Sequence, residues 1–156
     1  EALASIAAIA HVELSTRPVE NDLGTELLIE GSDVKSQKPV STAAGSRFSV
    51  KNLFYNVPAR RNFLKSDPVE TRHIIEEFQR IAIAHPKIKF SFYNDEKEVY
   101  ILRSENLKQR LVTLFGKKYS ERLLMVEADA GFVNIKGFIV KPEFARRSRG
   151  EQYFFV

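Results

Sequence analysis

The sequence has no cysteine, no tryptophan and a single methionine, Met125. Without cysteine there can be no disulfide, no thiolate nucleophile and no cysteine-ligated zinc, which fits a reducing compartment. Long apolar runs are missing too. The longest, Ala2 to Ala10, is broken by Ser5 and is too short to span a bilayer. His11, His73 and His85 are scattered, without the paired spacing of a metal site. No serine stands in a nucleophile elbow, and no phosphate-cradling glycine loop is complete. The carboxylates Glu76 and Glu77 lie on the polar side of a helical stretch, and Asp95, Glu96 and Glu98 lie around a turn. Both groups read as solvated faces rather than as a general acid/base pair.

What is present is the composition of a globular protein. Of 156 residues, 44% are hydrophobic and 28% charged, enough for one ordinary domain or two small ones. Lys and Arg number 24 against 20 Asp and Glu, a net charge of +4 that permits a polyanionic partner without requiring one. The ends read as cuts. "EALASIAAIA" starts inside a helical pattern with no N-cap before it, and "EQYFFV" stops within an apolar run that reads as a strand. Together they suggest an internal fragment, so the lack of a leader at Glu1 carries no information.

Along the chain, "HVELSTR" (11–17) alternates Val12 and Leu14 against polar neighbours, as a half-buried strand does. "TELLIEG" (25–31) is its expected hairpin partner, and the polar residues 32–44 are expected to form a mobile connection. In "GSRFSVKNLF", Phe48 and Val50 share one face. Pro58 is placed to start a short helix carrying Arg60 and Arg61 on its surface.

A longer helix is expected from Asp67, with Pro68 at its first position and Ile74, Phe78, Ile81 and Ala82 as its apolar face. His85 and Pro86 stop it. A hairpin turned at 94–96 comes next. Ser104 is then the expected cap of a helix that buries Leu107, Leu111, Leu114 and Phe115 and ends at Gly116. Two more strands, a basic loop and the last strand complete an α+β arrangement. The domain boundary is expected near 103–106, where a fresh helix-plus-sheet unit begins. There is no internal repeat or low-complexity tract.

Two features carry possible chemistry. Gly45-Ser46 stands at the entry of a strand, where glycine permits close backbone approach and a hydroxyl can hold a ligand; a plain turn has the same composition. Basic groups at Arg60, Arg61 and Lys65, at Lys117 and Lys118, and at Arg146, Arg147 and Arg149 could each neutralise phosphates, or could be ordinary solvated cations.

One run is more specific. Residues 53–64 read "LFYNVPARRNFL", the chain opens on "EALASI", and a Gly45-Ser46 step precedes the strand into that run. These segments resemble the MutL family of DNA mismatch repair proteins, members of the GHKL ATPase group, whose motifs are "GFRGEALASI", a Gly-Thr step and "LFYNTPARRKFL". Ser46, Val57 and Asn62 depart from the family's Thr, Thr and Lys. "RIAIAHP" and "EQYFFV" extend the likeness over essentially the whole chain.

The resemblance implies the C-terminal part of a GHKL-type ATPase sandwich over 1–104. Residues 105–156 would then start a second, small ribosomal-protein-like βαβ domain. Glu1, Ala2 and Leu3 match the end of a phosphate-lid motif, and Gly45 and Ser46 match the adenine-side step, giving a partial ATP site and no catalytic residue. In the family the catalytic glutamate, the magnesium-binding asparagine and the adenine-reading aspartate lie upstream of Glu1. A γ-phosphate lysine lies beyond Val156. The intact protein is thus expected to use ATP and Mg2+ to drive dimerisation and coordinate mismatch repair, while the fragment is inactive and takes no cofactor. Expected partners are DNA, mismatch-recognition and other repair proteins and a second copy, with no membrane, in the bacterial cytoplasm. DNA-binding candidates are Arg146, Arg147 and Arg149, with Arg60 and Arg61. The alternative is a DNA- or protein-interaction module that works without ATP.

Overall fold

Gly31 and Ser32 both adopt positive φ, 57° and 72°, the handedness that a two-residue type I′ hairpin requires. They join β2 (Gly24–Glu30) to β3 (Asp33–Val40), and with β1 (His11–Arg17) and β4 (Gly45–Lys51) these strands form one antiparallel sheet in the order β3-β2-β1-β4. The structure, a computed structural model, describes residues 1–145 and 151–156. It divides into two compact units, Glu1–Ser66 and Asp67–Val156.

In the first unit β1 and β2 are the inner strands, β1 pairing with β4 and β2 with β3. Val12 faces Ile29 and Val50, and Leu14 faces Leu27 and Phe48, so the alternation puts these side chains on one face. Ala7, Ala10 and Val12 are buried, whereas Phe48 and Val50 stay 47% and 46% exposed. The stretch 32–44, expected to be a mobile connection, instead contains β3. Its polar composition suits an edge strand: Lys35, Lys38 and Pro39 discourage further pairing, and Lys38 bonds Glu26 across the ladder at 2.9 Å. The α1 helix (Ala2–Ala7) is too short to be stable by itself, and α2 (Pro58–Asn62) starts at its proline as the sequence indicates.

The second unit gathers α3 (Asp67–Ala84), the hairpin β5 (Phe90–Asn94) with β6 (Lys97–Leu102), α4 (Leu107–Phe115), α5 (Tyr119–Arg122) and the hairpin β7 (Leu123–Asp129) with β8 (Asn134–Val140). Its core is Ala82, Ile83, Leu102 and Leu114, with Phe78, Phe90, Leu107, Leu111 and Phe115 packed against it. Each fully buried large aliphatic side chain contributes roughly 1.5–3 kcal/mol. The α3 face differs from the expected one: Phe78 and Ala82 turn inward with Ile83, but Ile74 and Ile81 are 55% and 54% exposed. The α4 cap is Asn106, not Ser104. Its side chain accepts from Gln109 N at 2.9 Å while Gln109 Oε1 accepts from Asn106 N, a reciprocal box of about 0.5–2 kcal/mol.

The division at Ser66 and Asp67 also differs from a boundary near 103–106. The cause is that α4 shares its core with the end of α3 and with β6, so residues 67–102 belong with α4 rather than with the first sheet. Residues 152–156 adopt no strand. Tyr153 satisfies its apolar character by packing near the Phe115 ring, 6.1 Å between centroids, instead of joining a ladder. Among the described residues, no helix is long and apolar enough to cross a membrane.

Candidate functional site

Gly45 has φ 113°, a conformation that glycine adopts without strain, and open space surrounds the position where a side chain would begin. It turns the chain into β4 so that Ser46 falls opposite Thr16 of β1. The two hydroxyl oxygens, Ser46 Oγ and Thr16 Oγ1, are 2.8 Å apart. Thr16 also faces Thr25 of β2, so one row across three strands carries only hydroxyl side chains, at the end of the Val12–Leu14 apolar face. Beside it, Arg17 Nε donates to Thr42 O at 2.7 Å and fastens the approach to β4.

The other nominated group lies before β1. Glu1 precedes α1 without a side-chain capping bond, and Glu1, Ala2 and Leu3 are exposed. The helix owes its position to the corner at residues 52–56, just after β4. Asn52 and Phe54 take positive φ, 52° and 64°, and the tight corner this makes delivers Phe54 N to Ile9 O at 2.7 Å and Asn56 Nδ2 to Ala8 O at 2.9 Å. Tyr55 sets its ring edge-on to His11, 4.4 Å between centroids. The Leu53–Asn56 run is thus not a buried strand continuation. Leu53 and Tyr55 are 43% and 40% exposed, and the segment is a clamp on the α1–β1 link.

The nominated ATP-site residues therefore lie on two elements, Glu1, Ala2 and Leu3 at the start of α1 and Gly45 and Ser46 at the start of β4, and not in one cluster. Among the described residues no hydrogen bond or ion pair joins Glu1, Ala2 or Leu3 to Ser46. Arg60 and Arg61 are exposed on α2, and Arg146, Arg147 and Arg149 lie outside the described residues. Thr16 and Asn56 were missed: a hydroxyl in an alternating strand and an amide in a turn carry no signal until the register is known.

The second unit has a cleft of about 590 Å³ lined by Phe115, Tyr119, Phe138, Phe144 and Tyr153 with Arg122. Several of its polar groups already have partners. Tyr119 Oη donates to Glu151 Oε2 at 2.6 Å, and the Arg122 guanidinium lies 4.3 Å over the Phe144 ring. Burial, and then the Glu151 carboxylate, raise the Tyr153 phenol above its ordinary value. Because the folded value is the higher one, this neutral phenol supports folding below the usual tyrosine range and loses that support as pH rises through it.

No family model matches the chain. The DNA mismatch repair protein MutL of Christiangramia forsetii is 58% identical over 156 residues, all of this chain and 25% of that protein. MutL of Flavobacterium johnsoniae is 53% identical over the same 156 residues, 24% of its length. The chain belongs to the MutL family. It spans about a quarter of the length of these curated relatives. Among solved structures, the Aquifex aeolicus MutL ATPase domain complexed with ADP superimposes with a TM-score of 0.73 and 26% identity, covering 81% of this chain and 51% of that one. The N-terminal domain of a DNA repair protein gives a TM-score of 0.81 at 23% identity, covering 97% and 51%, a likeness of fold. The antiparallel sheets and their helices are thus the fold of part of a MutL ATPase region.

Proposed function

We propose that this chain is the adenine-side and lid-end portion of an ATP-binding site in a MutL protein that works in DNA mismatch repair. The observation that carries the reading is the Gly45-Ser46 step: a positive-φ glycine with free space above it and a hydroxyl fixed at 2.8 Å from Thr16. A hydroxyl and an open backbone can accept the edge of an adenine ring or a water bridging to it. They cannot by themselves orient a triphosphate, so hydrolysis with Mg2+ and the dimerisation it drives belong to the full-length protein. The start of α1 would lie towards the phosphates, with its exposed Glu1, Ala2 and Leu3. A MutL ATPase domain complexed with ADP among the similar folds supports nucleotide use. The same reading makes DNA, other repair proteins and a second copy the partners, in the bacterial cytoplasm.

In a full-length MutL protein carrying this sequence, Ser46→Ala is expected to weaken ATP binding by about 0.5–1.5 kcal/mol, the net value of one hydrogen bond. Ser46→Thr should bind as tightly as the wild type. Calorimetric titration with ATP and magnesium checks this, and equal affinity in all three proteins would reduce Ser46 to a turn residue.

DNA contact should run through phosphates, since three arginines fall within four residues at Arg146, Arg147 and Arg149. Such binding is weak, indifferent to sequence and steeply salt-dependent. Converting all three to alanine should flatten the log–log salt slope by roughly 0.9 per contact, about 2.7 in all. Coincident slopes for wild type and triple variant would move the DNA surface elsewhere, Arg60 and Arg61 being the next to test.

A further inference from the structure

The Ser46 hydroxyl has a partner whose geometry is better fixed than its own. Thr16 sits on β1, which is paired on both sides by β2 and β4, and its β-branched side chain is restricted at χ1. Ser46 stands at the first turn into β4, next to a glycine with φ 113°, and has an unbranched side chain free to rotate. The 2.8 Å bond between them therefore sets the serine rotor, not the threonine. A hydroxyl offers one donor and two acceptor positions, so a Ser46 bonded to Thr16 still has capacity for a ligand.

We propose that Thr16 is a positioning residue for adenine-nucleotide binding, holding the Ser46 hydroxyl in the rotamer that meets the ligand. This rests on the reading of Ser46 as the adenine-side group. The pair is solvent-accessible, so water can replace either partner and the bond adds little to folding. Its value lies in orientation, because a hydroxyl already aimed loses less freedom when the nucleotide arrives.

The test is ATP affinity in the full-length protein for wild type, Thr16→Val, Thr16→Ser, Ser46→Ala and the Thr16→Val/Ser46→Ala double variant, with a melting temperature for each. Valine keeps the branched shape and suits a strand, so Thr16→Val should melt with the wild type. Its affinity should nevertheless fall about two- to tenfold. Thr16→Ser, which keeps the hydroxyl, should restore binding, and the double variant should bind no more weakly than Ser46→Ala alone. Wild-type affinity in Thr16→Val, while Ser46→Ala is weakened, overturns the role of Thr16 and leaves the Ser46 site standing. Losses that add fully in the double variant also overturn it, since Thr16 would then act by another route. Wild-type affinity in Ser46→Ala removes the adenine-side reading and the Thr16 proposal with it.

Discussion

Arg110→Met is expected to destabilise the second unit by about 3–5 kcal/mol, the range for removing one partner of a buried, hydrogen-bonded charge pair. Arg110 is 0% exposed, the one buried charged residue among those described. Its guanidinium donates to Ala82 O at 2.7 Å, to Pro86 O and Arg103 O at 2.8 Å, to Ile88 O at 2.9 Å and to Glu105 Oε1 at 2.8 Å. One side chain on α4 thus ties together the end of α3, the turn leading to β5 and the end of β6. It also lies 5.6 Å from the centroid of the Phe90 ring. A planar guanidinium suits this set: Nε and Nη1 donate to one acceptor each, and the two N–H groups of Nη2 are shared among the Pro86, Ile88 and Arg103 carbonyls, whereas lysine has three donors on one nitrogen.

Summing an orphaned-group penalty of about 1–3 kcal/mol over four carbonyls would give about 4–12 kcal/mol, comparable to the whole stability of a typical domain. Only the bond to Ala82 is fully buried, whereas those to Pro86, Ile88 and Arg103 are partly accessible and can be taken over by water. The charge-pair range is therefore the better guide. Far-UV circular dichroism in urea is the suitable probe in a protein without tryptophan. Arg110→Lys should fall between wild type and Arg110→Met. Arg110→Met/Glu105→Leu should recover only part of the loss, since the Ala82 carbonyl stays without a donor. A loss under about 1 kcal/mol for Arg110→Met would mean that water or a rearranged turn replaces the guanidinium freely.

The sequence carried a trace of this arrangement. Position 110 falls between Leu107 and Leu114 on the apolar side of α4, so a cation there breaks the stripe. Without the fold, arginine defaults to a solvated side chain, and the missing knowledge was that α3 ends beneath it. The α4 cap was legible too, because Asn106 followed by Gln109 is a capping box; Ser104 competed for the role by residue type alone. Strands β1, β2, β5, β6, β7 and β8 were readable since each alternates or is bounded by turn residues. Strand β3 was not, as an edge strand wetted on both faces shows no period. The candidate site suffers the same limit. Gly45 and Ser46 could be named because they stand in a run resembling a family motif, but their neighbour Thr16 depends on β4 pairing with β1 rather than with the adjacent β3. That pairing is non-local, and alternation within one strand cannot reveal it.

Gly24→Ala tests that same strand end from the opposite side. Gly24 opens β2 and is not among the glycines with positive φ, so backbone freedom is not the reason for glycine here. Space is. A Cβ would lie 2.5 Å from the Thr16 carbonyl oxygen, 2.7 Å from Thr42 Cγ2 and 3.0 Å from Arg17 Cβ. The first of these is backbone in β1, an inner strand paired on both sides, and cannot swing away as a side chain could. In an open position Gly→Ala stabilises by about 0.4–1 kcal/mol through the unfolded chain. Forcing a methyl into a packed site costs about 1–3 kcal/mol, so the steric cost wins and the variant is expected to lose about 1–2 kcal/mol. Gly137 is the internal control. It lies within β8, has no positive φ and meets nothing within 4 Å, so Gly137→Ala should be neutral or slightly stabilising. Relief of the clash must move the Thr16 carbonyl, and with it the hydroxyl opposite Ser46. In the full-length protein Gly24→Ala should therefore weaken ATP binding as well, although position 24 carries no polar side chain. Equal stability of Gly24→Ala and Gly137→Ala would show that β1 and β2 can part at this end, and Thr16 would then have no rigid frame from which to orient Ser46.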